Sequence, residues 1–352
     1  MATHLKYLVS LYFPCCVLIF LYTGPHDVID VLAWTLSLWL IILIDYFSPK
    51  INSAVAKKRI ARNFYDVILY VLTAIHFLIM ALMLIYASQL QWDSLHDILT
   101  SIVNLIVLRI LVGTTSGSSA IIVAHELIHR RQSYMRLMGR LILYTVCYEH
   151  FIISHLRNHH LTVATPHDIA TACLDESFND YWKRVLVGHF KYAWQSAMKR
   201  TDATALTGLP YHWLANTVLQ GLLVEGMLVI VILINFGWAA AFIFLFQALS
   251  AVRLLETINY YQHWGLEQGK DEGALAWVNQ SSFTEYALVG LSNHIAHHQN
   301  SSTSFQNMPY LEQGPKMPHG YFVTNLWVKL NNASYMKVSK GVIEKYFQEK
   351  VV

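Results

Sequence analysis

Charge is scarce in this chain of 352 residues. Only 13% of them are Asp, Glu, Lys or Arg, while 55% are hydrophobic. A soluble globular domain carries about 25% charged residues, so a soluble fold is a poor fit. The four cysteines form no C-x-x-C pair, since Cys15 and Cys16 are adjacent and Cys147 and Cys173 are isolated. Thiolate zinc, a rubredoxin-type centre and a thioredoxin-like motif are thereby unsupported. The chain has no electron carrier of its own. No basic run suggests nucleic-acid binding, and no internal repeat or long polar linker divides the chain. It reads as one integral membrane domain over residues 1–352.

What it does have is long apolar segments. A helix needs roughly 20 apolar residues to cross a bilayer. Six stretches qualify, at about 6–24, 28–47, 66–88, 98–122, 214–234 and 237–260. The last two run together, with Asn235, Phe236 and Gly237 as the turn between them. The first stretch has no A-x-A cleavage site and is expected to be a retained helix.

Basic residues follow the second span (Lys50, Lys57, Lys58, Arg59, Arg62) and the fourth (Arg130, Arg131, Arg136, Arg140). The intervening turns carry Asp27, Asp30, Asp93 and Asp97 and no base. By the positive-inside rule, three hairpins enter the membrane from the cytoplasm and both termini are cytoplasmic. Asn104, Arg109, Glu225 and Gln247 lie at apolar depth. An ionisable residue there needs a partner, and the simplest pairing joins Arg109 to Glu225.

Histidine is plentiful, at 18 residues, and nine of these fall into four groups at the ends of apolar segments. They are His125 and His129 in H-E-L-I-H; His155, His159 and His160 in H-L-R-N-H-H; His263 in N-Y-Y-Q-H-W-G; and His294, His297 and His298 in H-I-A-H-H. Residues three or four apart on a helix share a face, so each multiple group offers two or three nitrogens from one turn. Imidazole is the commonest side-chain metal ligand, and nine exceed the needs of one ion. A site for two metals on a cytoplasmic helical cap follows. H-E-x-x-H alone is also the signature of a zinc protease, with Glu126 as general base. His76, inside the third span, is expected to hydrogen-bond between helices.

These motifs, together with V-A-T-P-H-D, L-L-E-T-I-N-Y and M-P-H-G-Y, resemble the alkane 1-monooxygenase family of the membrane desaturase and hydroxylase superfamily. The resemblance implies an all-α integral membrane fold of six transmembrane helices. It implies two iron ions in a non-haem centre bound by the nine histidines. It also implies oxidation of a terminal methyl group with O2, on a hydrophobic substrate drawn from the bilayer. Electrons would come from a rubredoxin or ferredoxin, and the expected location is a bacterial inner membrane. Glu126, His150, Asp168, Glu256 and Asn259 are candidates for groups that orient the imidazoles.

The chain departs from the family pattern at Ser154 and Gln262, where Glu is usual, and at Ile295 and Ala296 in the last group. Methylarene hydroxylation and lipid desaturation are neighbouring chemistries. Arg130, Arg131, Lys183, Arg184, Lys199 and Arg200 offer a docking face for an acidic carrier. Trp34, Trp39, Phe77 and Phe246 are candidates to set the depth of a substrate tunnel.

Overall fold

A computed structural model describes residues 3–51, 62–204, 212–268 and 273–351. Lys57, Lys58 and Arg59 lie outside these residues. The described chain is helical and holds no strand, only two isolated bridges, Lys50 with Ser281 and Val278 with Lys316. The helices, in order, are α1 (Tyr12–Thr23), α2 (Val28–Ala33), α3 (Leu36–Tyr46), α4 (Arg62–Ser88), α5 (Leu95–Thr115), α6 (Ile121–Ile128), α7 (Ser133–Thr145), α8 (Phe151–Ser154), α9 (His160–Thr162), α10 (Phe178–Thr204), α11 (Thr217–His263), α12 (Ser282–Ala287), α13 (His294–Gln299), α14 (Tyr321–Leu330) and α15 (Asn332–Val351).

Five helical stretches are long and apolar enough to cross a membrane: Leu5–Thr23, Val28–Tyr46, Phe64–Ser88, Leu95–Ile128 and Thr217–His263. The last is broken at Gly237, whose φ of 83° and ψ of 178° leave the helical region. Glycine alone takes that conformation without steric cost. Leu99, Ile102 and Ile106 on α5 are exposed, as are Leu223, Ile230 and Ile234 on α11. Bands of this kind suit lipid rather than water.

The stretch Leu95–Ile128 carries the first histidine group. Its start is a capping box: Asp97 N–H donates to Ser94 Oγ at 3.1 Å, and Ser94 N–H to Asp97 Oδ2 at 3.2 Å. Between α5 and α6 it opens into a π-turn over Ser116–Ala120, sequence SGSSA. The small side chains let α11 come close. A Cβ added at Gly117 would sit 2.9 Å from the Ala251 carbonyl oxygen. Small residues at such crossings are how membrane helices pack without a hydrophobic driving force between them.

The polar groups at apolar depth each find a partner, though not as the charges suggest, and Gln247 Oε1 stays buried without one. Arg109 does not meet Glu225. Its Nε donates to Ser250 Oγ at 2.8 Å and its guanidinium lies 4.4 Å from the Phe246 ring centroid. Glu225 instead accepts the Glu149 backbone N–H at 3.2 Å. Gln247 donates to the Thr145 carbonyl at 2.9 Å, and Asn104 bonds to Tyr86 and to the backbone at His26. The reason is economy: a backbone or hydroxyl partner within reach costs less than desolvating a second charge. His76 bridges to Thr145 Oγ1 at 2.7 Å.

Asp45, at the end of α3, ties the C-terminal helices to the span region. It accepts the Phe322 and Val323 N–H groups at the start of α14, at 2.9 and 3.2 Å. It also accepts the Ser281 and Thr284 hydroxyls at 2.6 and 2.8 Å. Gly320 is needed there, because any Cβ would overlap the Asp45 carboxylate.

Candidate metal centre

The nine clustered histidines come from α6 and its cap, α8 to α9, the end of α11, and α13, and they converge into two groups. His125, His129, His155, His160 and His297 form one, and His159, His263, His294 and His298 the other. Within each, the ligand nitrogens lie within 4.8 Å of one another. Helix position does not sort them. His155 and His159 are four apart, yet they belong to different groups, while His155 and His160 share one. A second π-turn, His155–His159, is the cause. A π-helix closes i to i+5, so positions five apart fall on one face. In α13, His294 and His298 face one group and His297 the other.

The nitrogens approach closely. His155 Nε2 is 3.1 Å from His129 Nε2 and 3.0 Å from His160 Nε2, and His160 Nε2 is 3.2 Å from His297 Nε2. In the second group, His294 Nε2 is 3.1 Å from His263 Nε2 and 3.0 Å from His298 Nε2. These are contacts between like atoms, and one proton per pair cannot satisfy them all. They suit an ion instead: bonds of ~2.1 Å at ~90° put adjacent nitrogens ~3.0 Å apart. The two groups adjoin, with ring centroids of His160 and His298 4.9 Å apart.

The tautomers are set by outer partners. His159 Nδ1 donates to Asp168 Oδ2 at 2.9 Å, and His263 Nδ1 to the Leu275 carbonyl at 3.0 Å. Each leaves Nε2 as a lone pair aimed inward, and His159 Nε2 is buried without a protein partner. Asp168 is itself held by Thr171 Oγ1 at 2.7 Å. Burial works to raise its carboxyl, yet the contact with His159 outweighs that and keeps it below the ordinary value. Burial, reinforced by neighbouring imidazoles, holds His155, His294, His297 and His298 far below the usual histidine range. They are neutral donors at pH 7.

The remaining candidates sit further out. Glu126 is turned to Arg130, 2.8 Å away, and to the Phe305 N–H at 3.3 Å. Glu256 accepts from Tyr148, Tyr181 and Asn259 at 3.0 to 3.2 Å. His150 packs against Tyr148 and Phe190, outside both groups, with neither ring nitrogen hydrogen-bonded. Arg130 is buried, paired to Glu126 and Asp66, and so is not part of any docking face.

At the two positions where the family carries Glu, the structure shows neutral bonds. Ser154 Oγ donates to the Phe151 carbonyl, and Gln262 donates to Tyr321 Oη at 2.9 Å. Motif reading did not single out that Tyr321 link, although M-P-H-G-Y contains the residue. The Leu275 carbonyl carries no sequence signal at all.

A void of about 10 Å³ touches both groups, through His125, His155 and His294, with Ile258 and Gln262 in its wall. Ile258 also walls a cavity of about 510 Å³ between α3, α5, α11 and α14. None of Trp34, Trp39, Phe77 or Phe246 lines that cavity. Phe246 supports Arg109, while Trp39 and Phe77 are exposed on the outer surface.

Comparison with known proteins agrees with this picture. A fatty acid desaturase family model matches residues 99–324. The chain is similar to alkane 1-monooxygenase 1 of Pseudomonas aeruginosa, 33% identical over 60% of this chain and 56% of that protein. It is similar to the alkane 1-monooxygenase of Acinetobacter baylyi, 29% identical over 71% and 62%. It is also similar to the xylene/toluene monooxygenase hydroxylase component XylM of Pseudomonas putida, 28% identical over 58% and 55%. The matches thus span little more than half the length of these relatives. The family match takes in all four histidine groups, and the chain is an integral membrane protein belonging to the fatty acid desaturase family.

Proposed function

We propose that this protein is a membrane-bound non-haem di-iron monooxygenase that hydroxylates the terminal methyl group of an apolar chain. The observation that carries the reading is the pair of adjoining groups, five and four imidazoles, with neighbouring Nε2 atoms 3.0 to 3.2 Å apart. His125, His129, His155, His160 and His297 would hold one iron, and His159, His263, His294 and His298 the other. Bound there, the irons supply the oxidising power that an unactivated C–H bond demands. A donor set without carboxylates adds no negative charge to offset that power.

The protein's own part is positional. Asp168 and the Leu275 carbonyl fix two tautomers. The 10 Å³ void beside His125, His155 and His294 admits a small group and little else. Its apolar walls, Ile122, Phe151, Leu255 and Leu291, keep bulk water from the reacting carbon.

Hydroxylation consumes O2, two electrons and two protons, and releases water. The electrons come from a rubredoxin- or ferredoxin-type partner. We place the metal centre and both termini on the cytoplasmic side. We read the break at Gly237 as the turn between a fifth and a sixth span, in one domain over residues 1–352. The family name favours a second reading, lipid desaturation. It differs in which carbon meets the centre, and product analysis separates the two.

The test is metal content of detergent-purified protein, with iron, zinc and copper measured together. About two irons per chain, lowered in His155→Ala, support the reading. One zinc untouched by His155→Ala overturns it and brings the H-E-x-x-H protease chemistry forward.

A further inference from the structure

The 510 Å³ cavity is apolar over most of its wall, with Leu38, Ile42, Ile110 and Leu326 among its residues. It nevertheless carries three cations, Arg109, Arg253 and Lys329, and no acid. Its size suits one small ligand, since such sites run from ~300 to ~1,000 Å³. The cations come from three different helices, and all lie toward the same end. On α5, Arg109 is nine residues before Ser118, or ~14 Å of helix. On α11, Arg253 is eight residues before Tyr261, ~12 Å away. On α14, which runs the opposite way, Lys329 is eight residues after Tyr321, again ~12 Å away. Ser118, Tyr261 and Tyr321 mark the other end. That end abuts the histidines through Ile258, shared with the void at His294.

Among the described residues, no acid pairs with any of the three cations. Arg109 is bonded to Ser250, and Arg253 reaches Asn179 at 3.5 Å and lies 5.5 Å from the Phe178 ring centroid, with its Nε buried and unbonded. Although Lys329 is exposed at the mouth, desolvation by the surrounding walls pushes its ammonium down to about 8, and the charges of Arg253 and Arg109 act the same way. Like charges gathered on an apolar wall repel one another, and an anion between them removes that cost. Arg also offers a carboxylate a two-pronged bond.

We propose that this cavity binds a single-chain, long-chain carboxylate. Arg109, Arg253 and Lys329 hold the head, and the chain points its terminal methyl at the histidines. The proposal rests on the monooxygenase reading and deepens it, by making the substrate an anionic amphiphile rather than a plain hydrocarbon. The distance fits a long chain: Arg109 is 16 residues and ~24 Å of helix from His125, and Arg253 is ten residues and ~15 Å from His263. The reaction breaks one methyl C–H bond and forms one C–O bond. One oxygen atom of O2 enters the product and the other leaves as water. The two electrons come from the reduced iron–sulfur partner, and the two protons from solvent.

The test is equilibrium binding of labelled palmitate to the full-length protein in phosphatidylcholine nanodiscs, with 1-hexadecanol as the neutral comparison. Saturable palmitate binding at least tenfold tighter than hexadecanol is expected. Arg253→Gln and Lys329→Gln should each weaken palmitate about tenfold and leave hexadecanol unchanged. Retained hexadecanol binding shows that the variants are folded. Equal binding of the two ligands, unaffected by either substitution, overturns the proposal. Displacement of palmitate by phosphatidylglycerol but not by unlabelled palmitate also overturns it, in favour of a lipid headgroup site. The two readings fail separately: hexadecane oxidised without palmitate binding sinks only the carboxylate site, and palmitate bound by a protein that holds no iron sinks only the monooxygenase.

Discussion

Asp168 illustrates how much one side chain decides. It lies nine residues from His159, buried, and meets that imidazole on the nitrogen that faces away from the group. Replacing it with Asn keeps the shape but loses the charge, and allows the amide to present its N–H instead. Such outer partners are worth 10–100-fold in metal affinity. We therefore expect Asp168→Asn to lose iron to a chelator about 10–100-fold more readily, with Asp168→Glu partly restoring retention. Equal chelation rates would remove Asp168 from the site. Asp45 carries a comparable load in stability. Asp45→Ala strips the cap of α14 and leaves the Ser281 and Thr284 hydroxyl protons without an acceptor. A lost cap costs ~1 kcal/mol and an unpaired buried group ~1–3 kcal/mol. The thermal midpoint in detergent should fall well below that of an exposed-site control such as Lys316→Ala.

At the scale of elements, the two π-turns set which histidines meet. Each residue of an α-helix turns the chain by ~100°, and a π-turn inserts one extra residue. Inserting one alanine after Ala120, beyond the residue that the turn already absorbs, would swing His125 and His129 by about that angle. We expect the protein to lose the iron of the five-histidine group and keep the other, giving about one iron per chain. Two irons after the insertion would show that the phase set at this turn is incidental. The helix crossing has its own sensitive point. Gly117→Val should lower the thermal midpoint by a core-overpacking cost of ~1–3 kcal/mol, because the Ala251 carbonyl leaves no room.

These elements also show where sequence reading stopped. The long apolar runs, the break at Gly237 and the position of His76 between helices were legible, because hydropathy and glycine act locally. The pairing of His155 with His160 was not, because a π-turn has no compositional signature of its own. Arg109 looked like a partner for Glu225, but each found a closer neutral partner, Ser250 on α11 and the Glu149 backbone in the turn before α8.

For the molecule as a whole, the helices meet the histidines at one end, and the 510 Å³ cavity runs from there between α5, α11 and α14. Metal should then act as a structural clamp, since groups from α6, α9, α11 and α13 converge on it. A ligand that binds only the folded state stabilises it by RT ln(1 + [L]/Kd), ~2.7 kcal/mol at one hundred times Kd. Removing iron should lower the thermal midpoint, and ferrous ion should restore it. No change on removal would mean that the imidazoles are held by packing alone.

The sequence by itself determined the membrane character and the four histidine groups, whose residue type can hold a metal, because composition and residue type are properties of the chain. It also carried the family resemblance, through short motifs. Only the tertiary structure divided nine histidines into five and four, turned Glu126 toward Arg130, and gathered Arg109, Arg253 and Lys329 on one apolar wall. Those outcomes depend on helix phase and on contacts as distant as that of His160 with His297, 137 positions apart. Neither is written in any local stretch of sequence.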